Sequence, residues 1–123
     1  MRRLLAAVGL AGAAVGLAGC VPTAGPLAVQ PPAEAWHDAL LTGTLHIDED
    51  CVWVETPDAT YVPVFPVGEA RMEAGNLVYG RVWTDGETIE IGGGETRTQG
   101  QGWYVPDGCP DALFWGAAPP PQA

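Results

Sequence analysis

Glycine and proline cut this chain into short segments. There are 17 Gly and 12 Pro in 123 residues. Proline fixes φ and has no N–H to give, and glycine readily adopts positive φ, so both tend to end regular elements. What lies between them alternates as strands do. Residues 42–48 place Leu45 and Ile47 on one face and Thr44 and His46 on the other. Further extended runs are expected at 51–55, 60–65, 77–83 and 87–91, with shorter pieces at 103–105 and 113–115. Pro63 inside the third run implies an edge position or a bulge. Thr84-Asp85-Gly86 suits a hairpin turn pairing 77–83 with 87–91, because Asp-Gly tolerates the backbone angles such turns need. Gly92-Gly93-Gly94 is expected to end a strand, and residues 34–41 to form one helical turn. The expected architecture is all-β, a small five- to six-stranded barrel or sandwich over residues 36–116, with no internal repeat. Barrel closure is favoured because it removes exposed edges.

The N-terminus reads as an export signal. Arg2 and Arg3 precede an apolar stretch over residues 4–19, which is short for a membrane span. It ends in Leu17-Ala18-Gly19-Cys20, which resembles the lipobox of bacterial lipoproteins. The resemblance implies cleavage before Cys20, diacylglycerol on its thiol and attachment to a membrane. The chain would then sit on the outer face of the cytoplasmic membrane or on the outer membrane. Residues 20–35, with Pro22, Pro26, Pro31 and Pro32, read as an extended tether. At about 3 Å per residue in polyproline form, it would hold the domain some tens of Å off the surface. Residues 117–123 read as an unstructured tail. In its length and strand spacing the domain between is OB-like.

With Cys20 assigned to lipid, Cys51 and Cys109 remain, and an even pair in an exported chain reads as a disulfide. Cross-linking 58 positions is worth about 4 kcal/mol in the chain-entropy account. A domain this small needs such a staple.

Charge and composition exclude several functions. Loss of Arg2 and Arg3 with the signal leaves three basic residues, Arg71, Arg81 and Arg97, against 15 acids, a net −12. Nucleic acid as a partner is disfavoured, because phosphate binding needs clustered Lys or Arg. Electrostatic docking on anionic lipid is disfavoured likewise. The chain has no Ser and no Lys. A Ser nucleophile, a Schiff-base Lys and a phosphate-loop Lys are therefore ruled out.

Three sets of residues carry candidate chemistry. Asp48, Glu49 and Asp50 offer carboxylates to Ca²⁺, although they fit a hairpin turn better than a Ca²⁺ loop. His46 should lie on the outward face beside them, and His37 carries no partner signal. Trp36, Trp53, Trp83, Trp103 and Trp115 are many for so small a domain. Most should form the core with Tyr61, Phe65 and Tyr79. Trp103 and Tyr104, in a Gly-rich loop, are the pair expected to face a ligand: a glycan, a peptide or an envelope protein. The leading expectation is a non-catalytic binding or structural module of the cell envelope, with no cofactor. The alternatives are a Ca²⁺-binding module and a small hydrolase built on a carboxylate pair.

Overall fold

The computed structural model describes residues 20–33 and 35–121. The expected signal segment, Glu34 and the end of the expected tail lie outside the described residues. The described chain forms nine strands and no helix. They are β1 (Ala28–Gln30), β2 (Ala39–Ile47), β3 (Val52–Glu55), β4 (Thr60–Pro66), β5 (Arg71–Glu73), β6 (Asn76–Tyr79), β7 (Arg81–Trp83), β8 (Thr88–Thr96) and β9 (Leu113–Ala117).

Five of these strands close a barrel. β2 pairs antiparallel with β3 on one edge and with β8 on the other. β3 continues antiparallel to β4, β4 runs parallel to β9, and β9 returns antiparallel to β8. The circuit is complete, so the barrel avoids the open edges of a flat sheet. This is an OB-like five-stranded barrel. β1 adds to it in parallel with β4. β5, β6 and β7 form a separate three-stranded meander, inserted between β4 and β8 in the chain.

Side-chain alternation explains where the core lies. In β8, Ile89 and Ile91 point inward while Glu90 is exposed. Leu41 and Leu45 of β2, Val52 and Val54 of β3, Phe65 of β4 and Trp115 of β9 join them in one buried cluster. Leu77 and Tyr79 of β6 belong to the same cluster, so the small sheet packs onto the barrel's own core. A second cluster forms on the other face of β4. Val62 and Val64 point out of the wall and are buried with Ala28 and Cys51 beneath Trp53, Trp103 and Phe114. The chain's own β8–β9 loop covers this face.

The Cys51–Cys109 disulfide is present, with Cα atoms 4.9 Å apart. It ties the β2–β3 turn to the long β8–β9 loop. The two loops touch closely beside it: a Cβ on Gly108 would fall 2.5 Å from Asp50 Cβ, so that position requires glycine.

Several local expectations are corrected. The segment read as a tether is folded from its beginning. Val21 packs against the core, and Leu27, Ala28, Val29 and Gln30 are buried. Its prolines exclude helix but not a three-residue parallel strand. Residues 39–41, expected in a helical turn, open β2 instead. The tail also docks in part. Ala117 is buried in β9, and Ala118 accepts a hydrogen bond from the Tyr79 hydroxyl at 2.5 Å. The run at 77–83 breaks at Gly80, whose φ is +75°, and its halves pair with each other as β6 and β7.

The Thr84-Asp85-Gly86 turn forms, with Glu87 N–H donating to Thr84 O at 3.1 Å. It leads from the small sheet into the barrel rather than joining two partners. The three glycines at 92–94 lie within β8, not at its end. Gly93 has φ +144°, and a Cβ there would collide with the Gly116 carbonyl on β9. Pro63 is neither on an edge strand nor unpaired. It faces Trp115 of β9, and on its other side β4 leaves β3 after Tyr61 and meets β1 at Val64. A residue without an N–H fits that gap between partners.

Candidate functional site

The expected site residues fall into two neighbourhoods. One is the loop end at the disulfide. Asp48 closes the β2–β3 turn, its Oδ1 accepting from Asp50 N–H at 2.8 Å and Cys51 N–H at 2.9 Å. Glu49 and Asp50 border a depression with Tyr104 and Asp107. Tyr104 is engaged on both sides. Its hydroxyl donates to Gly25 O at 2.7 Å, and its backbone exchanges two 2.9 Å hydrogen bonds with Val29. Among the described residues, no three His, Cys, Asp or Glu side chains converge as a metal site requires. The acidic triplet is thus built as a turn, with Asp48 as its cap.

The second neighbourhood is a cleft of about 290 Å³ that contains Trp103 but not Tyr104. The segment before β2 forms one wall with Trp36 and His37. The β8–β9 loop forms the other with Thr98, Gly100 and Trp103. The floor comes from Gln30 of β1, Gly94 and Glu95 of β8 and Gly116 of β9. Glycine lets the lining side chains pack closely against the backbone. A Cβ on Gly94 would press on the His37 side chain at 2.8 Å, and one on Gly100 would strike the Trp103 indole at 2.5 Å. Trp103 is held from behind by an edge-on contact with Phe114, ring centroids 5.6 Å apart.

The polar groups of the cleft are partly committed. Gln30 is 9% exposed, and its Nε2 donates to Val64 O at 2.8 Å. Its Oε1 has no partner among the described residues. Glu95 accepts from the Tyr61 hydroxyl at 2.9 Å, and that bond to a carboxylate holds the Tyr61 pKa above its ordinary value. Trp36 and Trp103 both line the cleft, and among the described residues their rings make no contact with each other.

The five tryptophans have separate positions. Trp115 is in the barrel core, Trp83 packs against that core, and Trp53 and Trp103 pack against the outer cluster. Trp36 belongs to neither cluster. His46 points outward, as expected, but its partners lie across the hairpin. Its ring stacks on Trp53 at 5.0 Å, and its Nε2 hydrogen-bonds Glu55 at 2.9 Å. Sequence reasoning singled out Trp103 but missed Trp36, His37, Gln30 and Glu95 as its neighbours. They come from three separate segments, and Trp36 and His37 fell in a stretch expected to form a helical turn.

No protein-family model matches the chain, and neither a curated protein nor a solved structure matches it.

Proposed function

We propose that the chain is an extracytoplasmic lipoprotein, anchored through Cys20, that acts as a non-catalytic binding module of the cell envelope. One observation carries the reading. Cys51 and Cys109 are bonded to each other, and Cys20 of the lipobox-like motif is exposed at the start of the described residues. A thiol at that position is accessible to acylation without disturbing the core. Two or more acyl chains hold a protein firmly on a bilayer, whereas one binds marginally. With Val21 already packed against the core, the anchor would seat the barrel at the membrane surface rather than tens of Å away. Binding rather than turnover is supported by the lack of Ser and Lys and by the small wall available to shape a substrate cleft.

Membrane fractionation tests this. The wild-type chain should require detergent for extraction, and Cys20→Ala should appear in the soluble fraction. A Cys20→Ala chain that stays with the membranes overturns the anchor.

A further inference from the structure

The Trp36–Trp103 cleft has the chemistry of a site for a small neutral ligand rather than of an unfilled surface depression. Its volume, about 290 Å³, lies at the lower end of ligand pockets, enough for one ring-sized group with a second at the rim. Two indoles, Trp36 and Trp103, line it, and indole faces pack well on flat, weakly polar rings. The remaining lining supplies donors and acceptors together: the Thr98 hydroxyl, the His37 ring and the Gln30 amide. Gln30 is the deciding residue. A buried side-chain oxygen normally has a hydrogen-bond donor, and leaving it unmatched costs about 1–3 kcal/mol. Gln30 lines the cleft, and its Oε1 has no donor among the described residues. Gly116 beside it has space for a Cβ, 3.7 Å from Gln30 Nε2, yet leaves that space open.

The ligand's charge follows from the same groups. Among the described residues no Arg lines the cleft, which disfavours an anion, in a chain that already carries excess negative charge. Among the described lining residues a cation would meet one carboxylate, Glu95, one of whose oxygens accepts from Tyr61. A hydroxyl-rich ring matches what remains. Its C–H face packs on indole, and its hydroxyls serve both as donors to Gln30 Oε1 and as acceptors from Thr98 and His37. We infer that this cleft binds a neutral sugar residue of a glycan, gripped between Trp36 and Trp103 with Gln30 as the buried polar contact. The inference deepens the reading of the chain as an envelope-binding module and rests on it.

The test uses the full exported chain in detergent micelles, with ¹⁵N-labelled indoles followed by NMR. It is titrated separately with maltotriose, cellotriose and the N-acetylglucosamine trisaccharide, with choline as a cationic comparator. Affinity for one gripped ring should be on the order of millimolar, so titrations extend to about 20 mM. At least one trisaccharide should shift the Trp36 and Trp103 indole signals and leave that of Trp115 in place. Trp36→Ala should weaken binding at least about tenfold, since it removes one wall. Its thermal midpoint should be retained, because Trp36 belongs to neither buried cluster. Gly116→Val, which fills the floor beside Gln30, should also abolish the shifts. The inference is overturned if no trisaccharide moves these signals, if choline alone does, or if Trp36→Ala binds as wild type. A mass spectrum of the same sample reads the acyl groups independently. Lipid without sugar binding removes this inference and leaves the anchor, and sugar binding without lipid does the reverse.

Discussion

Replacing both bridge cysteines, as Cys51→Ala with Cys109→Ala, should be among the costliest changes this chain can survive. The bond closes a loop of 58 residues. Chain-entropy arithmetic for that length gives about 4 kcal/mol, through the unfolded ensemble that the bond restricts. Removing it also opens space at Cys51, which is fully buried in the outer cluster, so the true loss should be no smaller than the entropic figure. Spread over roughly 90 folded residues, 4 kcal/mol corresponds to a melting-point drop of about 20 °C. The better assay is urea unfolding followed by tryptophan fluorescence. It yields both the stability and the slope m, which reports the surface exposed on unfolding. The variant should lose stability and gain slope, because its unfolded chain is free to expand. Trp103 and Phe114 pack beside the bridge, so amide exchange in the β8–β9 loop should rise more than in β2 or β8. A loss under about 1 kcal/mol with an unchanged slope would refute the reasoning, because the bond would then not be limiting the unfolded state.

Other outcomes follow from single contacts. Gly93→Ala combines φ +144° with a collision against the β9 backbone, so it should cost more than about 3 kcal/mol or prevent barrel closure, measured by circular dichroism and urea titration. Tyr79 has its pKa pushed up to about 12, first by burial and then by Glu69, against an ordinary value of 10.0. Its phenol therefore stays neutral in the folded chain where the unfolded chain ionises. Stability contributed by the neutral phenol should be intact below pH 10 and fall progressively between about pH 10 and 12. Tyr79→Phe should flatten that decline while costing about 1 kcal/mol at neutral pH through the lost bond to Ala118, both read from melting curves.

Particular residues show how far local signals reach. Leu45 was legible as facing the core because period-two alternation is a property of the strand itself, and Ile89 and Ile91 obey the same rule in β8. The turn at Gly86 was legible because φ +90° is a local requirement. Its partners were not: residues 87–91 were expected beside 77–83 and lie beside β2 instead, with Gly86 N–H and Glu87 O bonded to Leu45 at 2.8 Å. Turn chemistry selects a bend, and competition between sheet edges selects the neighbour. The glycines at 92–94 read equally well as a strand's end or as a close approach of two backbones. Only the position of Gly116 across the ladder distinguishes them. The cleft was the least legible feature. Trp103 drew notice as an aromatic in a glycine-rich loop, whereas Gln30 carries no sequence signal at all. Tyr104, its equal in the sequence, faces elsewhere because neighbouring residues of an extended chain point in opposite directions.

The amino-acid sequence by itself determined the all-β class, the short segments, the pairing of Cys51 with Cys109 and the strongly acidic balance. Each of these follows from composition, local periodicity or the pair of cysteines left once Cys20 of the lipobox-like motif is set aside. Tertiary structure alone decided which strands are neighbours. The parallel pairing of β4 with β9 closes the barrel across about 50 residues of intervening chain, and no local preference specifies that contact. It also decided that Ala28–Gln30 joins the sheet. A three-residue strand has too few contacts to declare itself and exists only because the edge of β4 is there to receive it. The cleft depends on both events, since β1 supplies its Gln30 and the β8–β9 ladder its glycine floor.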